Sequence, residues 1–154
     1  IISGHFFESI DGPQFMTPYS LAILENLRSD MPVFWMNAAD PASLCGLGIQ
    51  GFPFKLPPRI STNHVVFKGS LPVVFSRRLG KELDFICKPD DPDLPTYFSF
   101  LDVLVSRSFS PLSSVKVELI NGEPAAKSPY APPLLESGFQ KDYKGLSFRG
   151  RNSG

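Results

Sequence analysis

Cysteine and histidine are scarce in this chain, with two of each among its 154 residues. Cys45 and Cys87 are too few to form the disulfide framework of a small secreted domain, and their spacing matches no zinc motif. Free thiols in a reducing cytoplasm are the expectation. Net charge is lacking as well, because 15 Lys and Arg offset 15 Asp and Glu. No global field would therefore draw the molecule onto nucleic acid or an anionic membrane, and any such binding must come from a local patch. The longest apolar stretches, at 31–36 and around Leu119-Ile120, fall far short of the roughly 20 residues that cross a bilayer. Ile1-Ile2-Ser3-Gly4 brings neither an initiator Met nor a basic stretch ahead of an apolar one, so the start does not read as a signal peptide and is expected to lie mid-protein.

The motifs of common catalytic sites are missing too. There is no phosphate loop ending in Gly-Lys-Ser/Thr, no Gly-rich dinucleotide fingerprint and no nucleophile elbow. A nucleophilic serine needs an imidazole within hydrogen-bond reach, and only His5 and His64 could supply one. His64 falls within an alternating strand pattern and His5 stands beside two phenylalanines, so both read as structural. Asp90, Asp91 and Asp93 lie among prolines just before a helical pattern, where carboxylates cap free amides more often than they hold metal. A free-standing hydrolase is accordingly the weakest functional class.

What is present is enough apolar material, 42% of residues, to fill one core. Sixteen prolines and twelve glycines are spread along the chain and punctuate short periodic segments. Thr17-Pro18 is a cap-plus-proline helix start, with Leu21, Leu24 and Leu27 on one face and an end before Pro32. Residues 33–36 read as a buried strand, and Asp40-Pro41 as the start of one helical turn. Residues 64–68, 73–78 and 82–87 form a three-stranded meander with turns at Gly69-Ser70 and Leu79-Gly80. Tyr97, Phe98, Leu101, Leu104 and Val105 share one face of a helix opening near Pro95. Val115, Val117 and Leu119 alternate with polar residues ahead of Asn121-Gly122, a type I′ hairpin signal. Ser128-Pro129 begins a last helix that Gly138 ends, and Leu146 and Phe148 alternate in a closing strand.

These patterns predict one α+β domain over 1–154, with a mainly antiparallel, partly barrel-like sheet packed against two or three short helices, chiefly 18–28 and 95–106. Two basic groups could track a phosphate backbone if the fold gathers them: Arg77, Arg78 and Lys81 around one turn, and Lys141, Lys144, Arg149 and Arg151 near the end. Of these, Arg77, Arg78, Lys81, Lys144 and Arg149 are the candidate nucleic-acid-binding residues. Trp35 could stack on a base, but its apolar flanks favour a core position.

The order of several short segments resembles a known family. Gly12-Pro13-Gln14-Phe15, Asn37-Ala38-Ala39-Asp40-Pro41 and Leu56-Pro57-Pro58-Arg59 are followed by Ile120-Asn121-Gly122-Glu123-Pro124-Ala125-Ala126, then Ser128-Pro129-Tyr130-Ala131, Gly138-Phe139 and Tyr143-Lys144-Gly145-Leu146. In order and spacing they look like the C-terminal part of the helicase core in the Lhr (large helicase-related) family of DEAD/DEAH-box helicases. Departures fall at Pro13, where the family commonly has Glu, and at Ala42-Ser43, where it has Leu-Asn. The resemblance implies a β-rich accessory domain behind two motor domains and a winged helix, in contact with both. It also implies a parent enzyme that hydrolyses ATP with Mg²⁺ in those motor domains, translocates 3′-to-5′ on single-stranded DNA, unwinds DNA or RNA–DNA hybrids and serves DNA repair. No catalytic residue, metal ligand or cofactor is carried over to this chain. The competing expectation is a structural or protein-interaction module without nucleic-acid contact.

Overall fold

The computed structural model describes residues 1–6, 11–26, 32–48 and 53–150. A short antiparallel pair, β1 (Ile2–Gly4) and β2 (Gln14–Met16), leads into helix α1 (Pro18–Glu25). β3 (Val33–Asn37), β4 (His64–Lys68), β5 (Leu71–Arg77) and β6 (Glu82–Phe85) follow as an antiparallel run. A 3-10 segment, Leu94–Phe98, passes directly into α2 (Ser99–Ser106). Then come β7 (Val115–Val117), the hairpin of β8 (Leu119–Ile120) and β9 (Glu123–Pro124), α3 (Ala131–Glu136), and the hairpin of β10 (Gln140–Asp142) and β11 (Gly145–Phe148).

The main sheet runs β3-β4-β5-β6-β8-β9 and the smaller one β10-β11-β7. All pairings are antiparallel except β6 with β8. The expected α+β architecture with mainly antiparallel sheets is present, but the sheets are open at their edge strands and none closes into a barrel.

Local chemistry accounts for several boundaries. Thr17 Oγ1 accepts the Ser20 amide at 3.1 Å with Pro18 in the first helical position, as its sequence foretold. Asn121 and Gly122 take φ of 50° and 80°, the pair of left-handed residues that a type I′ turn requires. Gly138 (φ 99°) ends α3 in a Schellman arrangement: its amide reaches the Leu135 carbonyl, and the Phe139 amide reaches that of Leu134.

Alternation in the strands sorts side chains onto two faces. Asn37, His64, Ser76, Leu83 and Ile120 stand opposite one another in a row across β3, β4, β5, β6 and β8. The face they share carries the main core, where Val66, Val74 and Phe85 meet Phe98, Phe100, Leu101 and Leu104 of the helical segment. Each such fully buried side chain stabilises by roughly 1.5–3 kcal/mol. On the other face Val65 and Phe75 pack with Ala38 and Cys45 beneath the loop that carries Phe54 and Leu56.

Three local expectations are corrected. Helix α1 buries no residue, so it is not a layer against the sheet; Tyr19, Leu21, Ala22, Ile23 and Leu24 are nearly consecutive and form no single apolar stripe. Leu27, Arg28 and Met31 lie outside the described residues. Asp40-Pro41 forms a tight turn rather than a helical one, because Asp40 Oδ1 accepts the Ala42 amide at 2.8 Å and closes an Asx turn. The carboxylate of Asp93 does not cap the 3-10 segment. It pairs instead with Lys68 at 2.5 Å, while Asp91 accepts the Asp93 amide at 2.9 Å and the Tyr97 hydroxyl at 3.0 Å.

Candidate nucleic-acid interface

The turn from β5 to β6 holds the first basic group. Arg78, Leu79 and Gly80 take φ of 54°, 56° and 87° in succession, a run that only outside support can hold in two non-glycine residues. That support comes from the Leu79 amide on the Thr62 carbonyl at 2.8 Å and the Arg78 amide on Asn63 Oδ1 at 3.3 Å. All three cations here have acidic neighbours. Arg77 pairs with Asp84, Arg78 donates to Glu82 at 2.8 Å, and Lys81 stands 3.8 Å from Glu118.

Glu118 ties this turn to the second basic group. Its amide donates to the Lys81 carbonyl at 2.8 Å. On the other side, a Cβ added to Gly145 would lie 2.1 Å from the Val117 carbonyl oxygen and 3.3 Å from the Glu118 Cα. The backbone next to Lys144 and that at Lys81 therefore both lie against Glu118. Lys116 joins them from β7, with its ammonium 3.6 Å from Asp142. Arg149 follows β11 at its far end, five residues on and so roughly 17 Å from Lys144 along an extended strand. The turn at 77–81 and the residue after Lys144 thus both lie against Glu118, while Phe148, the residue before Arg149, pairs with Val115, whose side chain a Cβ on Gly80 would meet at 2.4 Å. Lys141 is exposed on β10, and Arg151 lies outside the described residues.

Lys116 and Tyr143 were missed by the sequence reading. Tyr143 is 97% exposed at the tip of the β10–β11 turn. The outward position of Lys116 between Val115 and Val117 was legible from alternation; its nearness to Lys144 was not, because the β7–β11 pairing spans about thirty residues of sequence.

His64 is part of the core. It is 2% exposed, lies edge-on to Trp35 with ring centres 5.8 Å apart, and sits 5.5 Å from Phe100. Burial first, and Arg107 second, lower its pKa to about 4. Asn37 Oδ1 accepts the Ala39 amide, which leaves Asn37 Nδ2 to donate to the Ser61 carbonyl and toward His64 Nε2 at 3.2 Å. The imidazole proton is thereby assigned to Nδ1, and neither Nδ1 nor the buried hydroxyl of its cross-strand neighbour Ser76 has a hydrogen-bond partner. With no hydrogen bond between them, Ser76 and His64 do not form a nucleophile and base pair. Trp35 is half-buried against the core and offers no free face comparable to that of Tyr143.

A cleft of about 580 Å³ opens beside the β4–β5 turn, lined by Phe54, Lys68, Leu71, Ile86, Cys87 and Tyr97 among others. Burial, and then Asp91, push the Cys87 thiol up to about 11, so it is protonated and a poor nucleophile at neutral pH. Tyr97 is raised above the usual phenol range by burial and by its bond to Asp91. Cys45 and Cys87 are both free. Among the described residues no group of three His, Cys, Asp or Glu is arranged to hold a metal ion, and no helix is long and apolar enough to cross a membrane. No protein-family model matches the chain, and no curated protein matches it.

Proposed function

We propose that this chain is a non-catalytic accessory domain of an ATP-dependent helicase and that it lines the path of single-stranded nucleic acid. What supports the reading is that the turn bearing Arg77, Arg78 and Lys81 and the turn bearing Lys144 both lie against Glu118, with Lys116 two residues away on β7. Separate cations can follow consecutive phosphates only when the fold brings them together. The likeness of the chain's ordered segments to the Lhr family supports the same reading. In it, ATP and Mg²⁺ belong to motor domains elsewhere in a cytoplasmic parent protein, which unwinds DNA or RNA–DNA hybrids in DNA repair.

The Arg77–Asp84 and Arg78–Glu82 pairs preorganise the basic turn and also reduce its field, so binding by the isolated domain is weak and steeply dependent on salt. Fluorescence anisotropy of labelled single-stranded DNA, titrated at several salt concentrations, tests this. The double substitution Arg78→Glu, Lys81→Glu should abolish binding in a protein that still folds. Replacing Arg77 and Arg78 together by Ala should weaken binding across sequences and flatten the salt slope by up to about two units. Salt-independent binding, or none, would overturn the reading in favour of a structural or protein-interaction module.

A further inference from the structure

The β10–β11 turn differs in residue type and backbone from the molecule's Asn121-Gly122 hairpin. A two-residue hairpin favours Asn, Asp or Gly because a turn matching the strand twist needs positive φ, as at Asn121-Gly122 in this same molecule. Here the two residues are Tyr143 and Lys144, and neither has positive φ. A turn without positive φ accepts most residue types, so the backbone neither requires nor forbids Tyr and Lys there. Core formation does not require them either, since Tyr143 is 97% exposed.

Behind the turn lies a cleft of about 140 Å³ walled by Lys116, Glu118, Asp142, Tyr143 and Lys144. Its frame is firm. Gly145 lets the turn sit directly on the β7 backbone, where any side chain would strike the Val117 carbonyl. Asp142 Oδ1 accepts the Tyr143 amide at 2.7 Å and fixes the start of the turn. The cations are less firmly committed. Lys116 stands 3.6 Å from Asp142 and Lys81 3.8 Å from Glu118, both beyond hydrogen-bond length, so each ammonium keeps its donors for a further acceptor.

We infer that the β10–β11 turn is a single-nucleotide subsite, in which Tyr143 stacks on one base and Lys144 and Lys116 hold the adjoining phosphodiester. The inference rests on the reading above and specifies where on the basic end a strand is gripped. An exposed phenol ring offers a flat face that any base can cover, so the subsite is tolerant of sequence and selective for unpaired nucleotides. The two carboxylates lining the cleft keep its net charge low and make the grip depend on stacking as well as on charge.

Binding of the full chain to an oligothymidine and to an abasic oligonucleotide of equal length, compared by anisotropy at low salt, provides the test. The intact chain should prefer the oligothymidine. Tyr143→Ala should lower its affinity about tenfold and bring it level with the abasic strand, whereas Tyr143→Phe retains the preference. Lys144→Ala should weaken both strands alike and reduce the salt slope by about one unit. If the intact chain binds and Arg78→Glu, Lys81→Glu abolishes binding while Tyr143→Ala changes nothing, the subsite is overturned and the broader reading survives. If the intact chain binds neither strand, both are overturned.

Discussion

Acidification below neutral pH should destabilise this protein through His64. In the unfolded chain the imidazole has its ordinary value of 6.5, and in the folded protein burial and Arg107 hold it at about 4. Below pH 6.5 the unfolded state therefore takes up a proton that the folded state refuses, and stability falls as pH drops from 6.5 toward 4. At 1.36 kcal/mol per unit the full difference is about 3 kcal/mol, of which about 2 kcal/mol is lost between pH 7 and pH 5. That is a sizeable share of the roughly 5–15 kcal/mol that a domain has.

The assay is urea denaturation at pH 7, 6 and 5, in parallel with His64→Gln. Glutamine can still accept from Asn37, but it does not titrate. Exposed groups, His5 included, are common to both proteins and cancel in the comparison. The native protein should lose about 2 kcal/mol more than the variant over this range. Parallel loss in the two proteins would refute the buried, neutral placement of His64.

Three further outcomes bear on the framework. Gly145→Ala should cost about 3 kcal/mol and lower the melting temperature, because its Cβ would meet the Val117 carbonyl at 2.1 Å; an unchanged melting temperature would mean that β11 does not sit on β7 as described. Leu134→Ala, at a fully buried position of α3 whose carbonyl accepts the Phe139 amide of the Schellman motif, should cost about 2–5 kcal/mol in urea denaturation. Tyr130→Phe removes the hydroxyl that donates to the Cys87 carbonyl at 2.5 Å, and should cost about 1 kcal/mol by the same measurement while leaving the fold intact by circular dichroism.

Much of the local architecture was legible in the amino-acid order. The Thr17-Pro18 start, the Asn121-Gly122 turn and the Gly138 stop are decided within a few residues, because φ limits and cap hydrogen bonds act over that range. The β4–β5–β6 meander and the buried stripe of α2 follow from alternation and helical period, which are equally local. Failures came where a neighbour distant in sequence decides the outcome. The carboxylate of Asp93 turned from capping to Lys68, twenty-five residues away, and the apolar residues of α1, lacking a stripe, found no surface to cover.

The candidate interface divides in the same way. Residue type and spacing determined that cations cluster near 77–81 and 141–149, and that Lys116 points outward. Only the tertiary structure decided that Glu118 brings the turn at 77–81 and the turn bearing Lys144 together, and that Tyr143 is exposed while Trp35 is half-buried. Charges and ring faces are properties of single residues and can be read one at a time. Their arrangement depends on the β7–β11 and β6–β8 pairings, which are set by the burial of the apolar side chains that alternate with them.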